Sequence, residues 1–330
     1  MIHIVIPDMQ GGVYDFAHTL QGKIGPNVVK PVPLSARSVR SWRTHAGDSV
    51  VLQMSGFGFS KRGVPLWLLR EMEMRHNKVK RFGVFFHELY AFGPPWKYAF
   101  WVSPVQRHVV RRLAEMSDFW MTNREGSAQW LRRYAGNKPH AVLPVFSTIG
   151  EPQPLPAARK NSLVVFGSAG LRTVTYRAAG RGLFQWAKRQ SLEIHDIGSP
   201  VMDTQVMDAL TANGVIQHGR LGADNISELM QDALFGIIAY PVDYIAKSSV
   251  FAAYCAHGLC PVVLSKGGYP PSDGLLAGQH YLLGPPTGIV NAGSAQQIGE
   301  GAWKWYQSHG VGYHAAALCQ LLGVPILEGI

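Results

Sequence analysis

The sequence predicts an α/β protein built from two doubly wound, parallel-sheet domains. Three observations predict it. Short apolar runs alternate with helical segments along the chain, the alternation breaks once at a proline-rich stretch, Ser147–Ser162, and the 330 residues exceed one ordinary core. Hydrophobic residues make up 47% and charged residues 16%, which excludes a disordered chain. The expected division is 1–150, 151–310, and a C-terminal helix, 311–330, that returns to the first domain.

In the first block "IHIVIP" reads as a strand, and Val13, Phe16, Ala17 and Leu20 then fall at helical spacing. Residues 28–34 form a weaker strand and "SVVLQMS" a clear one. "VPLWLLREMEMRHN" is a helix, "RFGVFFHEL" a buried strand, "VQRHVVRRLAEMSD" a helix and "FWMTN" a strand. "EGSAQWLRRYAG" closes as a helix at Gly136, and "HAVLPVF" is another strand. The second block repeats the scheme with "LVVFGSAG", "LEIHDIG", "GVIQHGRL", "LFGIIAYP" and "PVVLS" as strands. "GLFQWAKRQ" and "ADNISELMQDA" are its helices, the latter with Asp224 or Asn225 as N-cap and Glu228 in support. The tail from Ser294 is mostly helix. Ligands of such sheets bind beyond the carboxyl ends of the strands, so the two domains are expected to face a cleft there.

Candidate site residues follow from that rule. Gly11-Gly12 ends the first strand and opens a helix, where backbone amides can meet a phosphate or a polarised oxygen; an ordinary tight turn reads the same way. His87-Glu88 follows a buried strand and suits proton handling or sugar-hydroxyl contacts, the alternative being a histidine bonded to backbone. The turn "FGSAGLR" combines small residues around Ser168 with Arg172, a forked donor for phosphate oxygens, or else a surface arginine. His218-Gly219-Arg220 ends a strand and can present backbone groups to a base. Lys247-Ser248-Ser249 opens an otherwise apolar helix, as a diphosphate grip or as a plain cap with a solvated lysine.

The net charge of +10 would attract phosphates, nucleic acid or an anionic membrane. Basic runs such as "KVKR" and "RHVVRRL", with Lys97 nearby, are expected either as solvated helix faces or as a surface for lipid phosphates. Cys255, Cys260 and Cys319 lack metal-ligand spacing, and an odd, small number points to free thiols in a reducing, cytoplasmic setting. The N-terminus lacks a signal-peptide pattern, and no apolar run has spanning length. A soluble protein, or one peripheral at a membrane, is expected, with no metal and no cofactor.

The order of elements resembles that of the GT-B glycosyltransferases, in particular the retaining group 1, family 4-like type. The resemblance rests on "QGGVYDF", "FFHEL" and "SDFWMTNREGSAQWL" in the first block. In the second it rests on "FGSAGLR", "VIQHGRLGADNISELMQDALFGIIAY" and "KSSVFAAYCAHGLCPVV". It implies two Rossmann-like domains and a nucleoside-diphosphate sugar as donor. Gly219-Arg220 would lie near the base, Lys247, Ser248 and Ser249 near the diphosphate, Gly11-Gly12 against the donor, and His87 at the reacting sugar. The acceptor would be a lipid-linked saccharide, a glycan or a small molecule, in cell-surface polysaccharide or glycoconjugate synthesis. The family usually places two glutamates around the last helix, whereas Asp243 is the only acid between Tyr240 and Val263 here. Two rival functions follow: a catalytically silent relative acting as a binding or scaffold subunit, and, from the charge, a nucleic-acid-modifying glycosyltransferase.

Overall fold

The computed structural model describes residues 1–265 and 272–325. The chain divides into two compact units, Met1–Pro144 with the segment from Val311 onward, and Val145–Gly310. In the first unit β1 (Ile2–Pro7), α1 (Gly12–Ile24), β2 (Val29–Leu34), β3 (Ser49–Met54), α2 (Gly56–Phe59) and α3 (Leu66–Arg75) follow in order. Then come β4 (Arg81–Phe86), α4 (Tyr98–Met116), β5 (Phe119–Thr122), α5 (Glu125–Ala135) and β6 (His140–Val142). The strands form one parallel sheet, β2-β1-β3-β4-β5-β6, whose winding reverses between β1 and β3. β1 and β3 are buried at every position, as strands covered on both faces must be. β2 carries Pro31 and Pro33, which cannot donate to a ladder, and it takes the edge.

The second unit runs β7 (Lys160–Phe166), α6 (Ala169–Gln190), β8 (Glu193–Ile197), α7 (Thr204–Ala212), β9 (Ile216–Gly219), α8 (Ala223–Asp232) and β10 (Ala233–Ala239). After a 3-10 segment, Val242–Lys247, come α9 (Ser249–Ala256), β11 (Cys260–Leu264), β12 (Leu282–Leu283) and α10 (Ala292–Tyr306). The parallel sheet is β12-β11-β10-β7-β8-β9, and its winding reverses between β7 and β10. α8 starts one residue ahead of the expected cap: Gly222 is the cap, and Asp224 sits in the first turn, where its charge suits the helix dipole.

The tail, expected to be mostly helix, is two helices, α10 and a second one after it. α11 (Val311–Leu322) packs on α1 in the first unit. Arg81 donates to Leu321 O, and His314 Nε2 donates to Pro144 O at 2.8 Å. The expected helix 311–330 is described as far as residue 325. The proline-rich stretch and the residues just ahead of it are fastened to the second unit: Val145 N donates to Ala246 O (3.0 Å), Ser147 N to the Tyr306 hydroxyl (2.7 Å), and Leu155 lies against Gly258. The division between the units falls ahead of that stretch, at Pro144–Val145.

Candidate functional site

In the second unit α9 is set at the point where the winding reverses. Val250–Ala256 are all buried, as in a helix packed on every side. Tyr254 fastens it. Its hydroxyl accepts from Phe166 N (3.1 Å) and lies 3.2 Å from Val164 O and Ile237 O, carbonyls of β7 and β10. The β7–β10 ladder stops at Val164–Gly236, and the phenol takes up the backbone groups beyond it. Gly236 makes the room, since a Cβ there would stand 2.6 Å from the Tyr254 ring. Burial pushes the phenol far above its ordinary pKa, so it stays a neutral hydroxyl.

This fastening aims the N-terminus of α9 at the sheet's carboxyl edge. Ser248 is the cap, accepting from Phe251 N at 3.3 Å, and Ala252 makes the first intrahelical bond, to Ser248 O. The amides of Ser249 and Val250 precede that bond. Ser249 is half-buried, and Lys247 ends the 3-10 segment with its ammonium 5.6 Å from the Tyr244 ring centroid. α6 brings a second N-terminus to the same place. Its cap is Ser168, which accepts from Leu171 N, and a Cβ on Gly167 would stand 3.2 Å from Val250. Next along the edge, Gly198 N donates to Gly219 O (2.8 Å) and Arg220 Nε to the Ser199 hydroxyl (2.7 Å). The structure thus brings Ser168, Gly219, Arg220, Lys247, Ser248 and Ser249 to one edge. A pocket of about 360 Å³ opens at the ends of β10 and β11, lined by Val174, Arg177, Tyr240 and Pro241 among others.

Arg172 corrects the sequence reading. It is neither a phosphate ligand nor a surface residue, being only 1% exposed. Its guanidinium pairs with Asp196, donates to Ser199 O, and donates through Nε to Gly167 O at 3.0 Å. Tyr176 completes the network by donating to Asp196 at 2.8 Å. Arg172 therefore ties the turns after β7 and β8 together from beneath. Ser248 is also more buried than a ligand hydroxyl need be, because it caps α9.

In the first unit His87 follows β4, at the carboxyl edge. Its N–H bonds Met54 O of β3 (3.0 Å), and Asn123, just after β5, donates Nδ2 to His87 O at 3.3 Å. The half-buried ring stacks on Phe85 at 4.5 Å and meets the edge of Phe16 of α1 at 5.0 Å. Nε2 donates to Gln53 Oε1 at 2.7 Å, which makes Nδ1 the basic nitrogen. Glu88 is exposed beside it, and Gly11-Gly12 is exposed at the start of α1, the helix that carries Phe16.

Gln53 and Asn123 were missed in the sequence. Each is buried, each holds His87 by one end of its carboxamide, and the other ends, Gln53 Nε2 and Asn123 Oδ1, have no hydrogen-bond partner among the described residues. Such groups are costly unless a ligand or water meets them. Among the described residues no group of three or more His, Cys, Asp or Glu could hold a metal ion.

No family model matches the sequence, and no curated protein does. Solved structures match it in fold. The GtfA/B complex aligns at TM-score 0.56 and 15% identity, over 87% of this chain and 59% of that one, so this chain spans less than two thirds of that relative. Sucrose-phosphate synthase from Thermosynechococcus elongatus aligns at TM-score 0.55 and 11% identity, over 97% of both chains. An alpha-glucosyltransferase in complex with UDP and a 13-mer DNA aligns at TM-score 0.52 and 10% identity, over 98% of this chain and 99% of that one. With its two parallel sheets, the chain has the two-domain α/β fold of the GT-B type.

Proposed function

We propose that the protein is a glycosyltransferase that takes its sugar from a nucleoside diphosphate carrier. One observation carries the reading: two helix N-termini, those of α6 and α9, meet where the winding of the second sheet reverses, with Lys247 and Ser249 beside them. Each N-terminus supplies amides without intrahelical partners and the positive end of a helix dipole. The leaving diphosphate gains negative charge as the glycosidic bond breaks. Fixed donors at that spot stabilise the transition state more than the ground state, and this is what accelerates transfer.

The other candidate residues take further roles in the proposed reaction. Gly219 and Arg220 stand further along the same edge, toward the base. Arg172 holds the intervening turns and touches no substrate. His87 of the first unit, its ring held by Gln53, is the residue we assign to the reacting sugar or the acceptor hydroxyl. Glu88 and Gly11-Gly12 lie at the same strand ends. A uridine diphosphate sugar is the first donor to test, since the alpha-glucosyltransferase neighbour was solved with UDP.

The test is turnover of UDP-sugars, followed as release of UDP, in the parent and in His87→Ala. The expected result is slow donor hydrolysis or transfer by the parent and a large loss in the variant with UDP still bound. A parent that binds UDP but turns over no donor with any acceptor would support the silent binding subunit instead. A parent that binds no nucleoside diphosphate overturns the proposal.

A further inference from the structure

The first unit carries an aromatic surface to which the function proposed above gives no role. Phe92, Trp96, Tyr98, Phe100 and Trp101 lie on the loop after β4 and the first turn of α4, and all five are exposed, Trp96 at 83% and Trp101 at 69%. Large rings left in water in one contiguous stretch mark an interaction surface. Two of these rings are held by hydrogen bonds to the backbone, and a third packs on one of them. Trp101 Nε1 donates to Pro95 O (2.8 Å), the Tyr98 hydroxyl donates to Arg62 O (3.1 Å), and Phe100 packs edge-on against Trp101 at 5.4 Å. Gln106 braces the base of the surface, accepting from Ala91 N (2.7 Å) and donating to Gly63 O (3.1 Å). Tyr98, Phe100 and Trp101 are therefore pre-ordered while their rings stay exposed.

Their border is cationic. Lys61, Arg62, Lys97 and Arg107 are all exposed, and Arg107 stacks over Tyr90 and Phe92 at 4.4 and 5.8 Å. No acid occurs between Asp48 and Glu71 or between Glu88 and Glu115, the two stretches that build this surface. The charge of the whole chain is sorted the same way. The first unit holds twenty Lys and Arg against ten Asp and Glu, the second eleven of each, so the net +10 belongs to the first unit.

We propose that this surface seats the protein on an anionic lipid bilayer. The rings enter the boundary between headgroups and acyl chains, and the four cations meet headgroup phosphates. The same surface of a second copy fits it poorly, because face-to-face pairing would set cation against cation. No helix among the described residues is long and apolar enough to cross a membrane.

The test is sedimentation of the full chain with phosphatidylcholine vesicles, with and without phosphatidylglycerol. Binding is expected only with phosphatidylglycerol, and it should weaken as salt is raised. The double variant Trp96→Ser/Trp101→Ser should bind at least tenfold more weakly, with an unchanged circular dichroism spectrum. Lys61→Glu/Lys97→Glu, which leaves every ring in place, should do the same. Equal binding to both vesicle types, no binding to either, or full binding by both variants overturns the proposal. So does a dimer in solution that the tryptophan variant abolishes while vesicles bind neither protein.

Discussion

His87 Nε2 stands 2.7 Å from Gln53 Oε1, so a residue at a strand end is oriented by a carboxamide buried in the neighbouring strand. Asn123 holds the same residue from the other side, through His87 O. Removing the ring and removing its support should therefore have graded effects. His87→Ala should lower transfer by about 10²–10⁴, the usual span for a proton-handling group, with the UDP dissociation constant unchanged. Gln53→Leu should lower it by roughly tenfold, as expected for one lost hydrogen bond. Steady-state kinetics beside calorimetry reads both. A His87→Ala protein with full turnover removes the residue from the chemistry.

Arg172→Leu tests the correction made above. It leaves Asp196 charged and buried without its partner, which typically costs about 3–5 kcal/mol. Urea unfolding should show that loss. Where the variant is folded, UDP affinity should stay within a few-fold of the parent. A stable variant with lost UDP affinity would restore Arg172 as a phosphate ligand.

Tyr254→Phe keeps the ring and removes the hydroxyl, so Phe166 N loses its acceptor. The expected cost is about 1–3 kcal/mol of stability, the range for an unsatisfied buried group. Denaturant midpoints for parent and variant give the number directly. Indistinguishable midpoints would show that the phenol does not fasten α9 to β7 and β10.

Burial pushes His257 and His314 down to about 4. In His257 the neutral ring is fully used: Nδ1 donates to Ala253 O and Nε2 accepts from Ser227, each at 2.8 Å. From roughly pH 6.5 down to 4 the unfolded chain binds protons that the folded chain does not. Stability is thus fully present above that window and falls as pH falls through it, by about 1.4 kcal/mol per pH unit for each ring. Urea unfolding across the window should show this slope, and His257→Gln should flatten it. An equally steep slope in the variant assigns the effect to other groups.

The alternation that predicted the fold was readable because buried parallel strands are continuous apolar runs, as "IHIVIP" and "LFGIIAYP" are. Strand-end turns were readable because they use glycine. What stayed hidden depends on pairing in space. Arg172 finds Asp196 on β8, and Gln53 sits inside the apolar run "SVVLQM", where a single polar residue gives no periodic signal. α4 starts at Tyr98, ahead of the expected Val105, because Pro104 and the crowded aromatics before it hide the helical period. α7 went unread because it is short and its buried face is narrow, only Val206 and Leu210 being buried.

The most direct test of the account is the affinity of Lys247→Ala for UDP and for uridine, measured by calorimetry. Lys247 stands at the mouth of α9, whose N-terminus, with that of α6, carries the argument for a diphosphate site. The account predicts a folded variant that loses about 1–3 kcal/mol of UDP binding, the range for a charged hydrogen-bond partner, and that binds uridine as the parent does. Equal UDP affinity in the folded variant and the parent would contradict it.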